Sequence, residues 1–182
     1  MQFIPTDLPE VIRIQPKVFE DERGFFLESY QKHLFKQAGL DSDFVQDNHS
    51  SSKQHTLRGL HYQVKHTQGK LVRVVMGEIF DVAVDLRKSS PSFGKWVGVF
   101  LSAENKEQLW IPPGFGHGFF ALSPRTDVLY KTTDYFNQEG ERCIRWDDPV
   151  LNIDWQIPPG VAPIISKKDA AGALFLEAEV FA

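Results

Sequence analysis

Short apolar runs recur along this chain, and most alternate with polar residues instead of repeating at helical spacing. "VIRIQPKVFED" gives a strand, a proline and a second strand, and "GFFLESY" continues as extended chain. "QKHLFKQAG" is the exception: its spacing predicts a short helix that stops at Gly39. "GKLVRVVMGEIFDVAVDLR" predicts two strands with Gly77 at a turn or bulge between them. "KWVGVFLS" is another strand, and "ENKEQLWIPPGFGHGFFALS" is a strand, a Pro-Pro-Gly corner and a further strand. "DVLYKTTDYF" is the last clear strand, and the tail "KKDAAGALFLEAEVF" is read as partly helical. Many short strands with no helix–strand rhythm argue against a parallel sheet. They predict an all-β fold, either an antiparallel barrel or a double-sheet jelly roll.

No linker, repeat or low-complexity tract divides the chain, and its 182 residues suit one domain with a core large enough to fold without staples. Fifteen Phe and four Trp suit a core between sheets or a subunit interface, and the count alone does not separate the two.

Twenty basic against 24 acidic residues leave a formal charge of −4, a balance that does not draw nucleic acid or anionic lipid. No run approaches the roughly 18 apolar residues of a membrane span. "MQFIPTDLPEVIRI" lacks a basic patch followed by an apolar stretch, so no signal peptide is expected. With one cysteine, Cys143, no intrachain disulfide can form, and a cytoplasmic location is expected.

Candidate chemistry sits on the strands. His55, His61, His66 and His117 show neither an HxH pair nor an HExxH motif, so no metal site is expected. In "FDVAVDL", Phe80, Val82, Val84 and Leu86 share one face while Asp81, Ala83 and Asp85 share the other. Those aspartates either meet water or line a polar cavity, where each needs a partner. In "DVLYKTTDYF", Val128, Tyr130, Thr132, Asp134 and Phe136 alternate onto one face. Tyr130 is then a core phenol or, facing a cavity, a proton donor. His117 lies between Gly116 and Gly118, where little bulk hides it. Arg23 precedes a pair of phenylalanines, a combination suited to phosphate and base as well as to an ordinary charged turn. Lys70 opens a strand, as a solvated residue or as a clamp for an oxyanion. "LRGLHYQ" puts Arg58 and His61 three apart, on opposite faces of an ideal strand. Gly59 could supply the bulge that brings them to one side.

Taken in order, "DERGFFLES", "FVQDNHS", "LRGLHYQ", "QGKLVRV", "GEIFDVAVDLR", "SPSFGKW", "WIPPGFGHGF", "LYKTTDYF", "IRWDDP" and "ISKKD" resemble the dTDP-4-dehydrorhamnose 3,5-epimerases, sugar-nucleotide epimerases of the cupin superfamily. The resemblance runs over nearly the whole chain. It implies a cupin-type jelly-roll barrel with a few short peripheral helices, and a homodimer whose N-terminal part is exchanged. It also implies dTDP-4-dehydro-6-deoxy-D-glucose as substrate, inverted at C3 and C5 to dTDP-4-dehydro-β-L-rhamnose, with no metal and no organic cofactor.

By the same resemblance His61 matches the catalytic base, Asp169 the carboxylate paired with it, Tyr130 the acid and Lys70 the residue near the developing oxyanion. Arg58, Gln46, Asn48 and His117 match other pocket positions. Arg23, Phe26 and Glu28 match an arm that reaches the neighbouring subunit's nucleotide site. Glu141 and Lys168 match further positions around the ligand. Phe136 departs from the pattern: a tyrosine often stands there, so the ring is kept for stacking and the hydroxyl is lost.

The resemblance leaves three other classes to set against it. One is a related epimerase acting at a single carbon, one a sugar-nucleotide binding protein of the same fold, and one a metal-dependent oxygenase.

Overall fold

The computed structural model describes residues Met1–Ala182. Alternating residues build two antiparallel sheets. In the first, six strands lie in the order β1 (Gln2–Pro5), β2 (Ile12–Gln15), β10 (Gln108–Ile111), β7 (Lys70–Met76), β12 (Arg125–Thr132) and β5 (Gln46–Lys53). In the second, five strands run β13 (Glu141–Cys143), β6 (Leu57–Gln63), β11 (Phe115–Ala121), β8 (Glu78–Asp85) and β9 (Trp96–Ser102). β3 (Val18–Asp21) and β4 (Gly24–Leu27) pair only with each other. Two short helices, α1 (Lys32–Gln37) and α2 (Lys167–Ala170), are peripheral. No helix is long and apolar enough to cross a membrane.

The all-β class with small peripheral helices agrees with the sequence, but the jelly-roll barrel is corrected. The sheets do not close. β1 and β5 are free edges of one, β13 and β9 of the other, and no strand of one sheet is hydrogen-bonded to a strand of the other. Inward and outward side chains alternate identically whether two sheets face each other or curl shut, so the pattern carries no information on closure.

The core fills the space between the sheets. Val72, Val74, Leu109, Ile111 and Val128 from the first meet Ile79, Ala83, Val97, Leu101, Phe115 and Phe119 from the second. Each of these side chains larger than alanine contributes about 1.5–3 kcal/mol on burial. The outer face of the second sheet is apolar as well: Phe80, Val82 and Val84 pack under Leu151, Trp155 and Phe175 of the C-terminal segment. β8 is therefore buried on both faces, which is why its sequence is nearly continuous in apolar residues.

Gly77 joins the sheets. β7 belongs to one and β8 to the other, and the chain turns between them at φ +75°. A Cβ there would stand 2.4 Å from the Arg125 carbonyl oxygen, so only glycine fits.

The expected helix forms as α1, with Phe35 buried against Ile14, Leu71 and Trp110 on the outer face of the first sheet. One expectation fails locally. The alternation in "DVLYKTTDYF" stops at Thr132, where β12 ends: Thr132 Oγ1 donates to the Asp134 carbonyl at 2.9 Å, and the Asp134 carboxylate accepts the Tyr135 N–H at 2.7 Å. Asp134 and Phe136 thus lie beyond the strand. β5, in contrast, is a strand with no apolar alternation at all, "QDNHSSSK".

Candidate active site

At one end of the space between the sheets the apolar filling gives way to a cavity of about 400 Å³. The ladder registers decide which side chains line it. Asn48 on β5 lies opposite Tyr130 on β12, and Lys70 on β7 lies opposite Thr132, which in turn faces Gln46. From the other sheet, His61 on β6 faces His117 on β11, and Gln63 faces Glu141 on β13. Gln46, Asn48, Lys70 and Tyr130 therefore enter from one wall, and Arg58, His61, His117 and Glu141 from the other.

The three-residue problem of Arg58 and His61 is solved by a bulge. His117 pairs with His61, but Phe119, two residues on, pairs with Arg58, three residues back. The extra residue on β6 turns both polar side chains into the cavity. Gly59 takes φ +126° there, and a Cβ would meet the Gly118 Cα at 2.5 Å. Arg58 is held by Ser52 Oγ at 3.0 Å and the Ser51 carbonyl at 3.1 Å.

His61 Nε2 lies 2.7 Å from Asp169 Oδ1. The Asp169 side chain is only 5% exposed, while that of His61 is 31% exposed. The other carboxylate oxygen accepts the Gly59 N–H at 3.3 Å, and Ser166 caps α2 by accepting the Asp169 N–H at 3.0 Å. Burial alone would raise the Asp169 carboxyl. The His61 bond and charge, with Gly59 and Ser166, outweigh it and hold the group below the usual carboxylate range. A carboxylate on Nε2 orients the ring with its proton on that nitrogen and leaves Nδ1 without a protein partner.

Lys70 is buried and donates to the His61 carbonyl at 3.3 Å. Burial lowers its pKa to about 8, against the opposing pull of Asp81 and Glu141. His117 is buried with Nε2 2.7 Å from Asp81 Oδ1. Burial lowers its pKa too, and the Asp81 charge and bond oppose that. Burial raises the Tyr130 phenol, only partly offset by Arg58, so its hydroxyl stays protonated and able to donate. Phe136 lines the cavity although it is off the strand, its N–H bonded to Gln46 Oε1 at 3.1 Å. Gln46 Nε2 in turn donates to Asn48 at 2.9 Å.

Not every expected residue reaches this cavity. Lys168 pairs with Glu141 and lines a second opening with Asp169 and His61, on the α2 side. Arg23, Phe26 and Glu28 are exposed on or beside the β3–β4 hairpin, and Arg23 pairs with its own neighbour Asp21 at 2.6 Å. Phe25 and Phe26 are 60% and 65% exposed.

Sequence reading did not place Asp81, which turns out to be the buried partner of His117. The alternation in "FDVAVDL" was the available signal: both aspartates point inward, and Asp85 is satisfied by Arg87, Ser90 and Ser92. The Cys143 thiol lies in one group with His61 and Asp169, and burial pushes its pKa up to about 12.

Comparison with known proteins places the whole chain in one family. The family model described as dTDP-4-dehydrorhamnose 3,5-epimerase matches residues 5–177. A dTDP-4-dehydrorhamnose 3,5-epimerase of Pseudomonas aeruginosa is 57% identical over 175 residues, covering 96% of each chain. A Legionella pneumophila dTDP-6-deoxy-D-glucose-3,5-epimerase solved with dTDP-4-keto-L-rhamnose superposes with a TM-score of 0.94 at 51% identity, over 98% of this chain and 94% of that one. A 3'-monoepimerase from Streptomyces bikiniensis, solved with dTDP-quinovose, is more distant: TM-score 0.87 and 28% identity, over 94% and 87% of the two chains.

Proposed function

Because this chain belongs to the dTDP-4-dehydrorhamnose 3,5-epimerase family, we propose a specific division of labour for its reaction. That reaction is the inversion of C3 and C5 of dTDP-4-dehydro-6-deoxy-D-glucose, giving dTDP-4-dehydro-L-rhamnose. The C4 ketone acidifies the protons on both neighbouring carbons. His61 takes one at Nδ1, the nitrogen that Asp169 leaves free, and the Asp169 carboxylate stabilises the imidazolium that results. Negative charge then develops on the C4 oxygen, where Lys70 supplies a donor. Tyr130 returns a proton from the opposite wall, so the carbon is inverted. The phenol's raised pKa suits this step, because the group is fully protonated when the strongly basic enolate carbon needs it.

The observation that carries the reading is the placement of the His61–Asp169 pair and the Tyr130 hydroxyl on opposite sheets around one cavity. A base and an acid on one side would exchange protons without inverting carbon.

Gln46, Asn48, Arg58, Phe136, Glu141 and Lys168 hold the sugar and nucleotide in this reading. The β3–β4 hairpin completes the site in a homodimer, with Arg23, Phe26 and Glu28 entering the neighbouring subunit's pocket. Support comes from the hairpin itself: it pairs with nothing else in its own chain and exposes aromatic rings. Its arginine suits a diphosphate and its ring a base. The single unpaired thiol supports a cytoplasmic workplace.

The test is incubation with dTDP-4-dehydro-6-deoxy-D-glucose in D2O, followed by NMR. Solvent deuterium at both C3 and C5, with both centres inverted, is expected. Deuterium at one carbon alone would identify a single-centre epimerase, and binding without exchange a non-catalytic protein.

A further inference from the structure

The mechanism above leaves Cys143 unused, yet its position is not neutral. Cys143 sits opposite His61 in the β13–β6 pairing. Its sulfur, the His61 nitrogen and an Asp169 oxygen all lie within 4.8 Å of one another. A tetrahedral Zn²⁺ with nitrogen at about 2.0 Å and sulfur at about 2.3 Å keeps its ligand atoms roughly 3–4 Å apart. The three donors are thus within a side-chain adjustment of a coordination sphere. Asp169 is nearly buried and already ionised, so it does not have to be recruited from solvent.

Neither Cys143 nor Asp169 lines the substrate cavity, so their convergence lies behind the His61 ring. A second opening, lined by Thr56, Ile164, Ser166, Lys168, Asp169 and His61, lies on the Asp169 side of the His61 ring.

We propose that His61, Cys143 and Asp169 form a site for a thiophilic divalent cation of the Zn²⁺ type, and that its occupancy switches the enzyme off. One imidazole, one thiolate and one carboxylate are a donor set suited to zinc, and a water completes four-coordination. Mg²⁺, which demands octahedral oxygen, is excluded by the same set. Charge balances: a dication meets a thiolate and a carboxylate, and the thiol proton leaves to solvent.

The consequence for turnover follows from one proton. In the reading of His61 as base, the ring donates its Nε2 proton to Asp169 and keeps a lone pair on Nδ1 for substrate. A metal binds Nε2 only once that nitrogen's proton has moved to Nδ1, and the move uses up the lone pair there. His61 can then no longer accept a proton. This step rests on the reading of His61 as base. Because the metal sits behind the ring, the nucleotide sugar still binds, so kcat falls while KM changes little.

The experiment uses the intact protein, stripped with chelator and titrated with Zn²⁺, and compares Cys143→Ala and Cys143→Ser with wild type. Binding is read by competition with a chromophoric chelator, and turnover at saturating substrate is read alongside it. One equivalent of Zn²⁺ is expected to bind wild type and abolish turnover, reversibly on adding chelator, while Mg²⁺ does nothing. Loss of the sulfur should weaken zinc by at least about 100-fold and protect turnover, with activity in the absence of metal unchanged. Co²⁺ in place of Zn²⁺ should give a thiolate-to-metal charge-transfer band in wild type only. Equal zinc affinity in wild type and both variants overturns the site. Cysteine-dependent binding with undiminished turnover keeps the metal site but overturns both its inhibitory role and His61 as base. A site that fails while His61→Ala still abolishes turnover leaves the catalytic reading intact.

Discussion

Asp81 gives one carboxylate oxygen to His117 Nε2 at 2.7 Å, and its other oxygen is buried with no hydrogen-bond partner. The unpaired oxygen is not idle electrostatically. Asp81 is the largest influence opposing the loss of the proton from buried Lys70, and it acts the same way on His117. One carboxylate beneath the cavity floor thus helps keep the Lys70 ammonium available at the place where an oxyanion forms, and holds the His117 ring in place beside it.

Lys70 should make activity and stability run in opposite directions with pH. Burial lowers its pKa from the ordinary 10.5 to about 8. Between those values the unfolded chain binds the extra proton, so Lys70's contribution to stability rises as pH climbs through that window. Below about 8 the cost of burying the charge is present in full. Turnover, which needs the ammonium, should decline as pH rises through about 8. Lys70→Met should be more stable than wild type below pH 8, by up to about 3 kcal/mol, and much less active. Denaturant midpoints measured beside kcat from pH 6.5 to 10 check this. A variant that retains turnover would remove Lys70 from the oxyanion site.

Asp81→Asn keeps the shape and removes the charge. The alkaline limb of the turnover profile should then shift to lower pH, because Lys70 loses its counter-charge. Asp81→Ala additionally leaves the buried His117 nitrogen unpaired, which should cost about 1–3 kcal/mol in chemical denaturation. An alkaline limb identical to that of wild type would show that Asp81 does not govern Lys70.

Tyr130→Phe should separate exchange from inversion. His61 can still remove a proton and return one to the same face, so deuterium should enter C3 or C5 without matching epimer formation. The ratio of label incorporated to product formed should rise at least about tenfold, read by NMR and mass spectrometry. Phe136 has no hydroxyl to take over. A ratio and a turnover both unchanged would exclude Tyr130 as the acid.

Mixed dimers test the shared site. An Arg23→Ala chain combined with a His61→Ala chain should place both lesions in one pocket and leave the other whole. About half the wild-type turnover and one normal nucleotide site per dimer are expected, against almost no turnover in the His61→Ala homodimer. Mixed dimers lacking any normal pocket would rule out the exchanged hairpin.

The strands with apolar alternation were legible because burial on one face leaves a period of two, and Gly77 announced the corner between β7 and β8. The bulge at Gly59 was also legible, since two polar residues three apart cannot share a face without it. β5 was not: it is a free edge whose exposed and half-buried residues are all polar, so no hydrophobic signal marks it. It nevertheless supplies Gln46 and Asn48. Phe136 was expected at the ligand from the resemblance alone; the continued strand on which the alternation put it does not form, and it reaches the cavity through a bend held by Thr132 and Asp134. Closure into a barrel was overread, because facing sheets and a closed barrel demand the same inward residues.

Since the proposed base and acid stand on separate sheets with only side chains between them, the span across which a sugar ring must fit is set by the thickness of the apolar filling. Val72 and Val128 on one sheet, and Ala83 and Phe119 on the other, act as shims in a pair of jaws. Trimming or enlarging such a residue, well away from any ligand, would reset the bite and so change which sugars are accepted. Laboratory evolution for new substrates has a handle there that inspection of the pocket walls alone would never suggest.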